Sequence, residues 1–210
     1  MNSSQSTEFT DALKSLAADY GVTLDQRSVD GLCAYYEILN FWNARLHLVA
    51  PTSPAEFATR HVLESLTVLP YLDDNAGVAD VGSGGGLPIV PILIMRQDIT
   101  ATLIESSRKK AVFLREALKE TKITGRGTVI NERFENVPPP AVDYVTCRAI
   151  ERFEELIPKL VEWAPAAARL LLFGGERLKE PLESAGLVVE SKLLPNSERR
   201  FLIVARKQGG

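Results

Sequence analysis

The sequence predicts an α/β protein, a doubly wound and largely parallel sheet under a helical N-terminal cap. Three observations carry this. Residues 1–74 place apolar side chains at helical spacing, and residues 75–210 alternate short apolar runs with longer amphipathic stretches. A glycine-rich loop follows the first of those runs. The 210 residues, 45% of them hydrophobic and 24% charged, supply enough apolar surface for a core, and the two regions are expected to form one compact unit.

In the cap, Phe9, Leu13, Leu16 and Ala17 share one helical face, and so do Leu32, Tyr35, Tyr36, Leu39 and Trp42. Pro54 suits the first turn of a third helix, where its missing N–H has no partner to lose. That helix is expected to carry Phe57, His61, Leu63, Leu66 and Val68 and to stop at Pro70; Asp73, Asp74, Asn75 and Gly77 then make a turn. The apolar runs that follow, read as strands, are 78–81, 99–104, 127–130, 142–147, 170–173, 187–193 and 201–205, with helices over 107–122 and 151–163. Pro195-Asn196-Ser197-Glu198 joins the last two runs as an antiparallel hairpin closing the sheet.

Cys33 and Cys147 are too few for a disulfide framework, and with only His47 and His61 beside them no metal site is expected. The longest apolar stretch, 87–95, is about half of what a membrane span needs and contains Pro88 and Pro91. Residues 1–20 carry Glu8, Asp11 and Asp19 and no signal-like apolar run. These features predict a cytoplasmic protein without a membrane partner.

The chemistry begins at Asp80-Val81-Gly82-Ser83-Gly84-Gly85-Gly86-Leu87-Pro88. Glycines admit positive φ and close backbone approach, and the carboxyl end of a first strand is where such sheets bind nucleotides. A dinucleotide fingerprint started at Gly82 would put the bulky Leu87 at its last position, and no lysine accompanies the loop as a phosphate-binding motif requires. Asp80, Gly82, Gly84 and Gly86 at alternate positions instead resemble the first motif of Rossmann-like, class I S-adenosylmethionine-dependent methyltransferases. Glu105 follows Gly86 by 19 residues at the end of the next strand, where a carboxylate accepts bonds from two ribose hydroxyls. The other use of Glu105 is as a cap for the helix over 107–122.

Within that class, methylating a pyrimidine carbon needs a cysteine nucleophile. Cys147 is a strand-end candidate, but Arg148-Ala149 after it is not a turn, and a buried core cysteine fits better. Asn136-Val137-Pro138-Pro139-Pro140 precedes the fourth strand and lacks the aromatic of amine-methylating turns, so it reads as a stiff linker. A ring nitrogen such as guanine N7 has a free lone pair and no proton, and alignment with the methyl group suffices. No catalytic residue is then required, and Arg148 is a candidate orienter.

The chain resembles the ribosomal RNA small subunit methyltransferase G family, also called glucose-inhibited division protein B. The resemblance runs through Trp42-Asn43, Arg60-His61, Glu64-Ser65, the glycine loop, Glu105-Ser106, Lys109-Lys110, Phe113-Leu114, Arg133-Phe134-Glu135, Arg148-Ala149 and Glu198-Arg199. It implies a monomer that methylates N7 of a guanine in 16S ribosomal RNA, free or in the small subunit, with S-adenosylmethionine as cofactor. By motif, Gly82 and Leu87 would line the methionine end, Glu105, Ser106 and Ser107 the ribose, and Phe134 and Glu135 the adenine. Arg148 would face both cofactor and RNA, and Arg60, His61, Arg133 and Arg199 would contact RNA. The chain departs from the family at His47-Leu48-Val49 for Asn-Leu-Thr, at Ile89 for glycine, and at Phe173 for lysine. An aromatic at 173 offers a surface for stacking on a base. A methyltransferase acting on a small molecule or protein, and a non-catalytic cofactor-binding relative, are the alternatives.

The net charge of −3 averages unlike segments. Residues 1–40 hold six acids against Lys14 and Arg27, whereas residues 192–207 hold Lys192, Arg199, Arg200, Arg206 and Lys207 against Glu198. Basic segments of this kind suit an RNA-facing surface.

Overall fold

The computed structural model describes residues 3–148 and 153–207. Seven strands, β1 (Gly77–Val81), β2 (Thr100–Ile104), β3 (Gly127–Ile130), β4 (Tyr144–Arg148), β5 (Arg169–Gly174), β6 (Leu187–Leu193) and β7 (Phe201–Lys207), form one sheet in the order β3-β2-β1-β4-β5-β7-β6. The first five are mutually parallel. The expected hairpin of β6 and β7 is present, and β7 is the strand that docks antiparallel on β5, pairing Ile203 with Leu172. Its composition explains the choice: Leu202, Ile203 and Ala205 are buried, whereas Glu190, Lys192 and Leu193 leave β6 suited to the sheet edge.

Alternate strand residues serve opposite faces of the sheet, as a period of two dictates. Val78, Leu103, Tyr144 and Leu171 join the cluster under the cap, while Ala79, Ile104, Val145 and Leu172 join a second cluster on the other face. Helices α4 (Ile89–Met95) and α5 (Arg108–Glu120) cover the cap side. Helices α6 (Phe153–Trp163) and α7 (Lys179–Ser184) cover the other through Ile157, Leu160 and Leu182. Residues 151 and 152 of the expected helix, like Ala149, lie outside the described residues.

The cap consists of α1 (Ser3–Leu16), α2 (Gln26–Leu46) and α3 (residues 54–66). Asp25 starts α2 by accepting from the Ser28 N–H at 2.8 Å. Phe9 stacks on Tyr36 with ring centroids 4.4 Å apart, and Phe57 of α3 tilts against both. The third helix differs from a simple run to Pro70. Its middle, Phe57–Leu63, is π-helical, and it ends at Leu66, where the Thr67 hydroxyl donates to the Glu64 carbonyl at 2.6 Å. A separate 3₁₀ turn, Leu69–Tyr71, follows. One apolar cluster runs from Phe9 and Leu39 of the cap to Val78, Leu103 and Leu202 of the sheet.

Candidate active site

The strand order reverses between β2-β1 and β4-β5, and the glycine loop leaves β1 at that switch point. Gly82, Gly84 and Gly86 all have positive φ; at Gly86, φ is +84° and an added Cβ would lie 2.7 Å from Val90 Cγ2. The loop is held from two sides, the end of β2 and the cap. Gly82 N and Ser83 N donate to the Ile104 carbonyl at the end of β2, and Gly84 N donates to Glu105 Oε2 at 2.8 Å. From the cap, the fully buried Tyr35 hydroxyl donates to the Gly85 carbonyl at 2.5 Å.

Glu105 contacts the backbone on both sides of the β2 end, at the glycine loop and at the start of α5. Oε2 closes the loop, and Oε1 accepts from Ser107 N at 2.7 Å at the start of α5. Each carboxylate oxygen keeps a further lone pair, so the group retains capacity for two hydroxyl donors. Beneath the loop, Asp80 Oδ1 accepts from the Thr146 hydroxyl at 2.6 Å, whereas Oδ2 is buried with no donor. Burial pushes the Asp80 carboxyl up to about 7, against the pull of the Thr146 hydroxyl.

Over the loop opens a cavity of about 610 Å³, walled by Leu48–Ala50, His61, Gly82–Gly85, Leu87, Glu105, Ser106, Lys110 and Arg148. The segment at 48–50 is held by Asn43, whose side chain donates to the Val49 carbonyl at 3.1 Å and accepts from Val49 N at 3.0 Å. Both bonds use the backbone of residue 49, so valine suffices there. Ile89, at the other departure, is wholly buried in the core beside the loop.

Arg148 stands at the end of β4 with its guanidinium engaged by the cap. It donates to Ser65 Oγ at 3.1 Å, Glu64 Oε2 at 3.1 Å and the carbonyls of Arg60 and His61. Its carbon lies 5.3 Å from the centroid of Phe173. Phe173 is buried under that cation, so the expectation that it stacks on a base is corrected: the face is already occupied. Glu64 is buried too, and its Oε1 pairs with Arg200 Nη2 at 2.8 Å. Burial lowers the His61 pKa to about 4, with Arg148 adding to the effect, and His61 Nδ1 is buried with no partner.

The cavity therefore gathers Gly82, Gly84, Leu87, Glu105, Ser106, His61 and Arg148, with Asp80 and Gly86 directly beneath. Ser107 caps α5 beside it. Phe134 lies elsewhere, in the second core cluster, edge-on to Trp163 with centroids 5.7 Å apart. Arg133 and Glu135 line a separate, shallower hollow with Trp163, and Glu135 meets Lys159 at 3.8 Å. Arg60 is exposed and paired with Glu56, and Arg199 is exposed on the β6–β7 turn. Cys147 faces the second core cluster, where burial pushes its thiol well above its usual range. Sequence reasoning missed the roles of Tyr35, Glu64 and Arg200. A lone acid in Val62-Leu63-Glu64-Ser65-Leu66 is the one signal that pointed to a buried, paired carboxylate.

The sheet order, the glycine loop and the acid after β2 define a class I S-adenosylmethionine-dependent methyltransferase. Solved structures agree on the fold. Mitomycin 7-O-methyltransferase MmcR superposes with a TM-score of 0.62 at 16% identity over 82% of this chain and 60% of its own. TYW2 from P. horikoshii, in complex with MeSAdo, gives 0.57 at 20% identity over 70% of this chain and 62% of its own. In both cases this chain spans less than two thirds of the neighbour's length. Residues 29–195 match the family model GidB, rRNA small subunit methyltransferase G. The chain is 38% identical over 178 residues to ribosomal RNA small subunit methyltransferase G of Sorangium cellulosum, covering 82% of this chain and 74% of that protein. It is 36% identical over 168 residues to the protein of the same name from Neisseria gonorrhoeae, covering 80% and 77%. The chain belongs to this family and is a methyltransferase.

Proposed function

We propose that the protein transfers the methyl group of S-adenosylmethionine to N7 of a guanine in 16S ribosomal RNA, acting as a monomer in the cytoplasm. The family match over residues 29–195 carries the reading, because loop, acid and cavity fall where this fold binds its cofactor. Among the described residues no helix is long and apolar enough to cross a membrane.

The residues present suit the cofactor: a carboxylate with spare acceptor capacity at the β2 end, an orphaned buried acceptor under the loop, and an open cavity between them. When bound, S-adenosylmethionine supplies an electrophilic methyl group on a sulfonium. Glu105 accepts from the ribose hydroxyls beside Ser106 and Ser107. Gly82 and Leu87 border the methionine end, where the Asp80 carboxyl attracts its ammonium. Phe134 and Glu135 mark the adenine end, Glu135 by its polar edge and Phe134 by fixing the turn from within the core. Arg148 acts as an orienter, holding the Arg60 and His61 carbonyls of the π-helical segment against the cavity. His61, neutral at pH 7, meets the base as a hydrogen-bonding imidazole. Arg60, Arg133 and Arg199 are exposed cations for phosphate. Guanine N7 has no proton to lose, so alignment with the methyl group suffices and no general base is required.

The test incubates unmethylated 30S subunits, and separately protein-free 16S RNA, with labelled cofactor, and maps the label. N7-methylguanine in either RNA is expected; no label on either, despite measured cofactor binding, would sink the reading.

A further inference from the structure

Phe41 is the most exposed large apolar side chain among the described residues, at 61%. Alone it would need no explanation, since single surface apolar residues are common. Its surroundings are specific. Arg45, one helical turn on, places its guanidinium carbon 5.8 Å from the Phe41 centroid. Trp42, next in sequence, meets Phe41 edge-on at 6.5 Å and Phe113 of α5 at 6.2 Å. Val112, beside Phe113, is 43% exposed. Two of the three exposed large apolar residues among those described therefore neighbour in sequence one contact between α2 and α5.

The helices run antiparallel there. Trp42 meets Phe113, while Ala34, farther back on α2, shares a hollow with residues 120–123 at the end of α5. Arg45 thus approaches the basic start of α5, where Arg108 and Lys109 are exposed and Lys110 reaches the cavity wall. The half-buried Glu116 lies one turn beyond Val112, away from the cavity. From Phe41 to the end of α2 at Leu46 is about 8 Å along the axis, and Leu48–Ala50 then form the cavity wall.

We propose that Phe41, with Arg45 against it, is a stacking platform for an unpaired base of the substrate RNA. An exposed ring takes any base face, and the Arg45 guanidinium suits the phosphates attached to it. The fixed Trp42–Phe113 contact presents the ring from two packed helices. Phe173, by contrast, is buried and closed by Arg148. This rests on the RNA methyltransferase reading and names a contact that the reading does not require.

The test measures the KM for unmethylated 30S subunits, binding of protein-free 16S RNA without cofactor, and calorimetric affinity for S-adenosylhomocysteine. Phe41→Ala and Phe41→Leu are expected to raise KM and RNA dissociation constant about tenfold, while Phe41→Trp restores both and cofactor affinity holds throughout. Arg45→Glu weakens RNA binding and flattens its salt dependence. Phe41→Leu equal to the wild type would show apolar docking rather than stacking and overturn the proposal. So would a wild-type self-association, seen in sedimentation, that Phe41→Ala abolishes. If the wild type labels RNA and Phe41→Ala matches it, only the platform fails; if the wild type labels none, the functional reading has failed.

Discussion

Glu64 and Arg200, 136 residues apart in the chain, are joined by two contacts of 2.8 Å, from Nε and from Nη2 to the same carboxylate oxygen. The other oxygen serves Arg148 at 3.1 Å. One buried carboxylate thus ties the cap, the end of β4 and the terminal hairpin at the cavity mouth.

Removing that carboxylate leaves a buried guanidinium uncompensated, which typically costs about 3–5 kcal/mol. Glu64→Ala is expected to lose stability of that order in urea unfolding. Arg200→Ala should lose clearly less, because Arg200 is partly exposed and Glu64 keeps Arg148. Equal losses would place the energetic weight on Arg200 instead.

Tyr35→Phe deletes only the hydroxyl that the Gly85 carbonyl accepts. A buried hydrogen bond lost this way costs about 1 kcal/mol. The loop also loses its hold from the cap, so affinity for S-adenosylhomocysteine should fall several-fold beyond what Tyr35→Phe costs in unfolding. Calorimetry and denaturation on the same protein check both.

Glu105→Gln leaves one oxygen to do the work of two, since its amide nitrogen repels one of the N–H groups of Gly84 and Ser107. With charge-assisted bonds worth roughly 1.5–3 kcal/mol, cofactor affinity should fall at least tenfold. An unchanged dissociation constant would remove Glu105 from the ribose site.

Asp80 sets a pH dependence. Its folded pKa of about 7 lies above the ordinary aspartate value of 3.8, so the folded state holds the proton that the unfolded chain releases. The stability this contributes is complete below about pH 4 and is lost as pH rises through 7. Relative to Asp80→Asn, the wild type should therefore lose stability across that window, by about 4 kcal/mol at most. An ammonium bound at the loop draws the carboxyl to its charged form. Cofactor affinity should thus rise from pH 6 to 8 with proton release, and Asp80→Asn should abolish the trend.

Much of the sheet was legible because β-strands buried on both faces read as short apolar runs, and the glycine loop because its backbone admits few other residues. The placement of β7 inside β6 was not, since hairpin order depends on which strand hides its polar residues. The π-helical middle of α3 left no mark in Phe57–Leu63 either, because the periodicity there suits an ordinary helix as well. In the site, Asp80, Glu105 and the loop stood out by spacing. The Glu64–Arg200 tie did not, because long-range ion pairs carry no local pattern. Arg199 attracted the reading that its neighbour Arg200 shares, and only the turn geometry tells which of the two points inward.

The apolar cluster shared by cap and sheet bears on synthesis. The cap leaves the ribosome before the strands that cover its inner face, with Val78 next and Leu202 more than a hundred residues later. Until then Leu32, Leu39 and Phe57 have only the rest of the cap and solvent as neighbours. The nascent cap helices are consequently a natural client for a holding chaperone, and the cofactor loop, gripped by Tyr35, reaches its final form only once cap and sheet have met.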